Sequence, residues 1–410
     1  MKRAVRLSAI ALGVGVALGA AAALVVARDP VFWKRYMLAM IHSPGELPDS
    51  FYEPTVTLAG THEPAPPRVR PEEENLDPAA LREAAEYAGS RHTTALIVGR
   101  GGHIVFEQYW DGGGFDTMMD AGALTATLAA LTVGIAMADH KIHLASEPAA
   151  RYLPALATDD RRTITLADLL RSASGLAPAG EIDGPWSPGA RERFAPKLTQ
   201  SCLARGTAAA PGTVWVPQPC DVQLLVRAIE RATGQSYARY ISQFLWRPIG
   251  AADAYLVRDD ESGAVRGDCC LRARRGDWMR IAELLANEGR FQGVEVIPPA
   301  WVREMLTASG PHPNFGYQVW RGEPFDAAAG EASEPYAATD TYVLKGPGRT
   351  RVWFVPSLRL TILRTGTNAP DDADWDDARI PNLIIRGAAD FVPETAPSGA
   401  LDLSTLVPRH

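Results

Sequence analysis

Lysine is scarce in this chain, and acidic residues outnumber basic ones. Of the 410 residues only five are lysine, namely Lys2, Lys34, Lys141, Lys197 and Lys345, and the formal net charge at pH 7 is −7. A nucleic-acid partner is therefore excluded, because binding to phosphates requires clustered lysine and arginine. The sequence also has no Cys-x2-Cys or His-Glu-x2-His spacing. It predicts no metal site and no other cofactor.

Cysteine is also rare, with four in the chain: Cys202, Cys220, Cys269 and Cys270. Because the first of them lies at position 202, an N-terminal cysteine that carries a lipid is excluded. Cys202 and Cys220 bracket a short loop and could pair, whereas the adjacent Cys269 and Cys270 are not expected to pair with each other. Four cysteines allow three connectivities, and the spacing does not select one.

The N-terminus combines basic residues with a long uncharged run. Three basic residues lie within the first six positions, and no charge follows from Leu7 to Ala27. A run of about 20 apolar residues can cross a bilayer, and basic residues before it favour a cytoplasmic N-terminus. Residues 1–28 are thus predicted to be a single-pass inner-membrane anchor with the rest of the chain in the periplasm. The alternative is a signal peptide cleaved near Ala20–Ala22, which would release a secreted protein.

Residues 29–75 are rich in proline and show little apolar periodicity, so they are expected to form a juxtamembrane segment and linker. Phe32, Trp33, Tyr36 and Met37 would then lie near the lipid headgroups, where aromatic rings are favoured. The alternative for this stretch is a short helix that packs on the globular body. A folded domain is predicted from 76 to 395, followed by a tail from 396 to 410.

The order of patterns within the domain predicts its fold class. Helices are expected over residues 78–87, 121–138, 165–171, 221–233, 237–245, 277–287, 299–307 and 381–391. Strands are expected over residues 93–98, 103–109, 352–354 and 360–364. The first and last strands would form one antiparallel sheet flanked by helices, and the middle of the chain would form a helical lobe. The prediction is an α+β fold preceded by a transmembrane helix. The uncharged stretch 121–138 is expected to be a buried core helix and not a second membrane span.

Four ordered segments carry a resemblance to a known family. They are LTVGIAMADHKIHLASEPAARYLPAL (131–156), ITLADLLRSASGL (164–176), PGTVWVPQPCDVQLLVRAIERATGQSYARYISQFLWRPIGAADAYL (211–256) and RVWFVPSLRLTILRTG (351–366). In order and spacing they are similar to segments of the β-lactamase and penicillin-binding-protein superfamily of serine hydrolases. The chain most resembles the branch with class C β-lactamase-like esterases and 6-aminohexanoate-dimer hydrolases. The resemblance implies a serine β-lactamase-like fold.

Members of this superfamily carry Ser-x-x-Lys at the start of the buried helix, where the serine attacks a carbonyl and the lysine assists its deprotonation. The family spacing puts Ala123 at the position of the serine and Ala126 at that of the lysine. A shifted alignment does not restore the motif, because the chain contains no Ser-x-x-Lys at all.

A second family motif, Tyr-x-Asn or Tyr-x-Ser, supplies a tyrosine that acts as a general acid or base. Here Pro217 falls at the tyrosine and Pro219 at its partner. Since no tyrosine lies between Tyr152 and Tyr237, an alignment error of one or two residues would not change this.

The third family motif, Lys/His-x-Gly on the inner strand, often holds a substrate carboxylate. Lys345, Gly346 and Gly348 could preserve it, and together with Arg349 they are candidates for binding a ligand at the rim of the pocket. A turn with solvated cations is the alternative. Tyr317 and Trp320 match an aromatic segment near the family's site and are expected in a pocket wall or in the core.

These losses predict a catalytically degenerate member of the family that acts in binding or scaffolding. Its expected partners are the membrane, through the N-terminal helix, and a carboxylate-bearing small molecule, a peptide or an envelope protein. The alternative is an active esterase, amidase or peptidase that uses other residues, for which Ser172 and Ser174 are possible nucleophiles.

Overall fold

The computed structural model describes residues 23–43, 45–260, 262–307, 310–367 and 374–393. The α-helices of these residues are α1 (Pro30–Ile41), α2 (Asp49–Tyr52), α3 (Pro78–Gly89), α4 (Thr125–Ala138), α5 (Leu166–Leu170), α6 (Pro188–Phe194), α7 (Leu198–Leu203), α8 (Pro219–Thr233), α9 (Tyr237–Ile241), α10 (Arg275–Ala286), α11 (Pro299–Leu306) and α12 (Arg379–Arg386). The strands are β1 (Thr55–Leu58), β2 (Thr93–Arg100), β3 (His103–Tyr109), β4 (Met118–Asp120), β5 (Ala254–Val257), β6 (Arg272–Arg274), β7 (Arg290–Phe291), β8 (Val294–Glu295), β9 (Trp320–Arg321), β10 (Tyr342–Lys345), β11 (Arg351–Val355) and β12 (Leu360–Gly366).

Strands from the two ends of the domain form one antiparallel sheet in the order β3-β2-β12-β11-β10-β9. Ile362 of β12 lies opposite Val98 of β2, and both strands are almost wholly buried. Their β-branched and aliphatic residues suit a sheet covered on both faces. Helices α3 and α12 pack on one face and α10 on the other. The antiparallel sheet flanked by helices is therefore confirmed.

Helix α4 lies at the centre of the larger core. Its residues are apolar or small on every side, which is typical of a helix that is buried all round. At Gly134 a Cβ atom would come within 2.0 Å of the Trp301 ring, and the Trp301 indole donates a hydrogen bond of 3.0 Å to the Ala130 carbonyl. The prediction of a buried core helix holds for this stretch, with a turn of 3-10 helix at Gly122–Leu124 before α4.

The segment 29–75 differs from the linker that its prolines suggested. Phe32 of α1 is completely buried and stacks on Tyr36, while the buried Arg35 donates hydrogen bonds to the carbonyls of Phe51 and Glu53. Strand β1 pairs along its length with β5. The segment thus follows the alternative expectation, a helix on the globular body, and adds an edge strand. Local proline content did not reveal this, because the partner strand lies about 200 residues away in sequence.

A second sheet, in the order β1-β5-β6-β4, was not predicted. Its strands are only three or four residues long. Such short runs carry little periodicity in sequence. Helices α6 and α7 were missed for the same reason.

Both pairs of cysteines form disulfides. The Cys202–Cys220 bridge joins α7 to α8, as one of the three connectivities allowed. The expectation that Cys269 would not pair with Cys270 is wrong. Cys270 has a φ of 75°, so the backbone leaves the extended form in which neighbouring side chains point in opposite directions.

Most of the predicted anchor and the whole predicted tail, 396–410, lie outside the described residues. Among the residues that are described, no helix is both long and apolar enough to cross a membrane.

The packing of α1 can be tested with a matched pair of variants. Phe32→Ala removes a fully buried ring and is expected to lower the free energy of unfolding by about 3–5 kcal/mol. Met37→Ala, on the same helix but 54% exposed, should change it by less than about 0.5 kcal/mol. Guanidinium unfolding measures both. If Phe32→Ala changed the free energy of unfolding as little as Met37→Ala, α1 would not unfold together with the rest of the domain.

Candidate ligand-binding cleft

A cavity of about 340 Å³ opens between the start of α4, the loop before α8, the segment before β9 and the end of β10. The turn after α5, the end of α6 and the segment before the paired cysteines also reach it. The residues around it are Ala123, Leu124, Ala126, Thr127, Ser172, Arg193, Pro217, Gln218, Pro219, Val222, Asp268, Phe315, Gln318, Trp320, Leu344 and Lys345.

Hydrogen bonds to backbone carbonyls fix these segments against each other. The Thr127 hydroxyl donates to the Gln318 carbonyl at 2.8 Å, which ties α4 to the segment before β9. The Val216 amide donates to the Ser172 carbonyl at 2.8 Å, which ties the loop before α8 to the turn after α5. The cavity is therefore built on ordered elements and not on free loops.

The four positions aligned with the family's catalytic residues all lie at this cavity. Ala123 is exposed at its floor, and Ala126 lies beneath, one helical turn further along. Pro217 and Pro219 form the facing wall. Motif spacing in two separate parts of the sequence selected these positions, and the structure brings them together around one cavity.

Lys345 also lines the cavity, but its ammonium group is already engaged. It forms an ion pair with Glu331, lies 3.6 Å from an Asp377 carboxylate oxygen and sits 4.4 Å from the centre of the Trp320 ring. Glu331 is held in place because its carbonyl accepts a hydrogen bond of 2.8 Å from the Asp377 amide. Lys345 therefore meets carboxylates of its own chain at the rim where a ligand carboxylate was expected.

Gly346 and Gly348 of the third motif allow close packing of the backbone after β10. A Cβ atom at Gly346 would approach Leu124 to 2.4 Å, and one at Gly348, where φ is 63°, would approach the Gly366 carbonyl to 1.9 Å. Arg349 lies 5.7 Å from the centre of the Trp375 ring and is not among the residues that line the cavity. These three positions fit close packing after β10.

The two aromatic candidates, Trp320 and Tyr317, lie in different surroundings. Trp320 lines the cavity within a cluster that includes Trp215, His312 and Phe315, with ring centres 4.3–5.6 Å apart. A second cavity, of about 210 Å³, lies beyond Trp320 and shares that ring and Lys345 with the first. Tyr317 belongs instead to the core, where it is 2% exposed and its hydroxyl donates to Glu304 at 3.1 Å.

Several polar residues of the cavity were not found from the sequence. Arg193 comes from the missed helix α6, and Asp268 precedes the paired cysteines. Gln218 occupies the middle position of the second family motif, between the two prolines. This place within the motif could have predicted that Gln218 lines the cavity. No comparable signal marks Arg193, because only the tertiary structure brings α6 to the cavity.

Ser172 and Ser174 have different surroundings. Ser172 lines the cavity with a φ of 55°, and its hydroxyl accepts a hydrogen bond of 3.2 Å from the Gln318 amide. Ser174 is completely buried and donates a hydrogen bond of 2.5 Å to Asp221. Burial raises the pKa of Asp221 to about 8, although the hydrogen bonds from Ser174 favour the ionised form.

No group of three potential metal ligands is close enough to hold an ion within the described ranges. Asp377 is buried and pairs with Arg351 at 2.9 Å, which keeps the pKa of this carboxyl below its usual value despite its burial.

The buried Asp221 predicts a pH dependence of stability. The folded chain keeps a proton that the unfolded chain loses near pH 4, so the free energy of unfolding should fall as the pH rises towards about 8 and then level off. The slope contributed by one group is at most about 1.4 kcal/mol per pH unit. Asp221→Asn should remove this decline, whereas Asp183→Asn at an exposed site should keep it. Parallel unfolding curves for wild type and Asp221→Asn across this range would contradict the assignment.

Comparisons with known proteins agree with this architecture. The family model for beta-lactamase matches residues 79–374. The fold is similar to that of a protein assigned as a 6-aminohexanoate-dimer hydrolase from Bacillus anthracis, at 16% identity over 87% of this chain and 92% of that one, with a TM-score of 0.63. A D-alanine carboxypeptidase from Burkholderia cenocepacia matches at 20% identity over 75% of this chain and 97% of that one, with a TM-score of 0.56. A penicillin-binding-protein homologue from Caulobacter crescentus matches at 15% identity over 77% and 97%, with a TM-score of 0.57.

The family match spans most of the chain, and it includes the central strands of the sheet, the central helix α4 and the residues around the cavity. The resemblance seen in the four sequence segments is thereby confirmed, and the chain belongs to the beta-lactamase family.

Proposed function

We propose that this chain is a β-lactamase-family protein that binds a ligand in its cleft without acyl transfer. The observation that carries the proposal is the set of side chains around the cavity at the family's catalytic positions: the methyl groups of Ala123 and Ala126 and the rings of Pro217 and Pro219. None of these side chains can attack a carbonyl, and none can accept or donate a proton.

The chemical cost of such a set is large. Acyl transfer by this family starts with an activated hydroxyl beside a base. In a serine protease, loss of one such residue reduces kcat by about 10⁶. Hydrogen bonds to a developing oxyanion could assist a reaction only after a nucleophile has attacked. A cavity that keeps its volume but lacks these groups is suited to binding.

The ligand is proposed to be a carboxylate-bearing small molecule or a peptide, with an envelope protein as a further possible partner. Two relatives of similar fold are named for a 6-aminohexanoate dimer and for D-alanine, which both contain a carboxylate. The apolar wall of Leu124, Phe315 and Trp320 suits a ligand with an apolar portion.

The place of action is proposed to be the cell envelope, with residues 1–28 as an uncleaved inner-membrane anchor and the domain in the periplasm. The basic start and the uncharged run support this. The two disulfides suit an oxidising compartment. Secretion after cleavage is the alternative.

A second candidate function is an active hydrolase with a displaced nucleophile. Ser172 favours it, because its hydroxyl lies at the cavity and its backbone is in the left-handed region. Among the described residues this hydroxyl accepts a hydrogen bond from the Gln318 side-chain amide, which is a donor and cannot act as a base.

The anchor can be tested by the mass of the mature chain. An uncleaved anchor predicts that the protein stays in the membrane fraction and retains residues 1–28 in intact-mass measurements. A soluble product that begins after Ala22 would instead establish the secreted form.

Reaction with a fluorophosphonate probe tests the loss of catalysis. The wild-type chain is expected to give no stoichiometric adduct and no hydrolysis of nitrocefin or p-nitrophenyl acetate above that of Ser172→Ala. A stoichiometric adduct on one serine, with turnover that disappears in its alanine variant, would contradict the proposal. If that serine is Ser172, the second candidate function is correct.

A further inference from the structure

Helix α1 has apolar residues on two sides, and the domain covers only one of them. The covered side carries Phe32 and Tyr36, which pack in the aromatic cluster with α6. Residues spaced by four, seven and eight positions share the other side of the helix: Trp33, Met37, Met40 and Ile41. The last three are more than half exposed. A surface helix usually carries polar residues on its outer side, so the outer side of α1 is suited to a further apolar partner.

A residue from a distant part of the sequence continues this exposed surface. Trp186, just before α6, is 69% exposed, and its ring centre lies 5.4 Å from that of Trp33 in an edge-to-face contact. Helix α6 is held against α1 because Ala190 and Phe194 belong to the cluster around Phe32. Grouped apolar side chains on a surface mark an interaction site. We call the apolar patch the five residues Trp33, Met37, Met40, Ile41 and Trp186.

The position of the patch in the chain indicates a lipid bilayer as its partner. The uncharged run from Leu7 to Ala27, which is long enough to cross a bilayer, ends two residues before α1 begins. Residues 23–28 are helical. The side chain of Asp29 accepts a hydrogen bond of 3.2 Å from the Phe32 amide and pairs with Arg191 at 2.7 Å. This junction leaves no slack between the run and the domain, so a run that crosses the bilayer would keep α1 beside it.

The chemistry of the patch fits the same partner. Tryptophan is favoured at the boundary between lipid and water, where its ring is apolar and its N–H group meets polar groups. The exposed side of α1 carries methionine and isoleucine, which suit the outer part of the acyl region. A soluble partner protein would have to enter between the domain and the membrane.

We propose that the apolar patch docks the folded domain on the surface of the bilayer that holds its anchor. This inference rests on the proposed function, in which residues 1–28 stay in the inner membrane. It also has a consequence for the cleft. Helix α6 begins beside Trp186, and Arg193 near its other end lines the cavity. A helix of this length measures about 10 Å, so docking would hold one edge of the cleft close to the membrane surface.

The test uses the full-length protein reconstituted in phosphatidylcholine vesicles. Met37→Cys and Trp186→Cys place single labelling sites in the patch, and Val294→Cys is the control at an exposed apolar position of β8. All four native cysteines are paired in disulfides, so an environment-sensitive fluorophore attaches to the introduced residue. Thermal unfolding verifies that each variant is folded. Vesicles with and without lipids that carry a quenching doxyl group near the headgroup are then compared.

Labels at positions 37 and 186 should emit at shorter wavelength in vesicles, and the doxyl lipids should reduce their fluorescence at least about 2-fold, because a docked apolar face enters the headgroup region. The label at position 294 should show neither change. Flotation of the vesicles on a density gradient measures the anchor separately.

Four results would overturn the inference. A chain that floats with the vesicles but shows no quenching at positions 37 and 186 keeps its anchor without docking. A shift to shorter wavelength without quenching means that protein covers the patch, either a second copy or another segment of the chain. Equal quenching at all three positions means that the contact with lipid is not specific to the patch. A chain that does not float with the vesicles refutes the anchor and the docking together.

Discussion

The burial of α4 on every side is the constraint on which the cleft depends. A helix in that position packs closely against its neighbours, and Gly134 is required because the Trp301 ring lies against it. Since the 3-10 turn before α4 and the first turn of α4 line the cavity, core packing fixes where Ala123 and Ala126 lie. The core therefore preserves the geometry of the site independently of its chemistry.

Much of the fold could be predicted from the sequence, because many elements carry a periodic pattern within their own residues. The central strands β2 and β12 and the helices α3, α4 and α8 have strong patterns within 7 to 15 residues. Elements that depend on distant partners were missed. Strand β1 is defined by pairing with β5, and the short helix α6 is defined by packing against α1.

The same distinction between local and distant information applies to the candidate site. The four alanine and proline positions follow from motif spacing, and the structure brings them together around one cavity. The electrostatics could not be predicted, because the partners Glu331 and Asp377 of Lys345 come from loops whose approach is not encoded locally. A motif therefore identified the lysine but not its ion pairs.

The Cys202–Cys220 bridge has a consequence for how the cleft could select its ligand. It covalently closes the loop that carries Trp215, Pro217 and Gln218, and the prolines at 211, 217 and 219 further restrict the backbone there. A wall held in this way loses little conformational entropy when a ligand enters. Selection would then come from complementarity to a preorganised shape, and ligands that need the wall to move would be rejected.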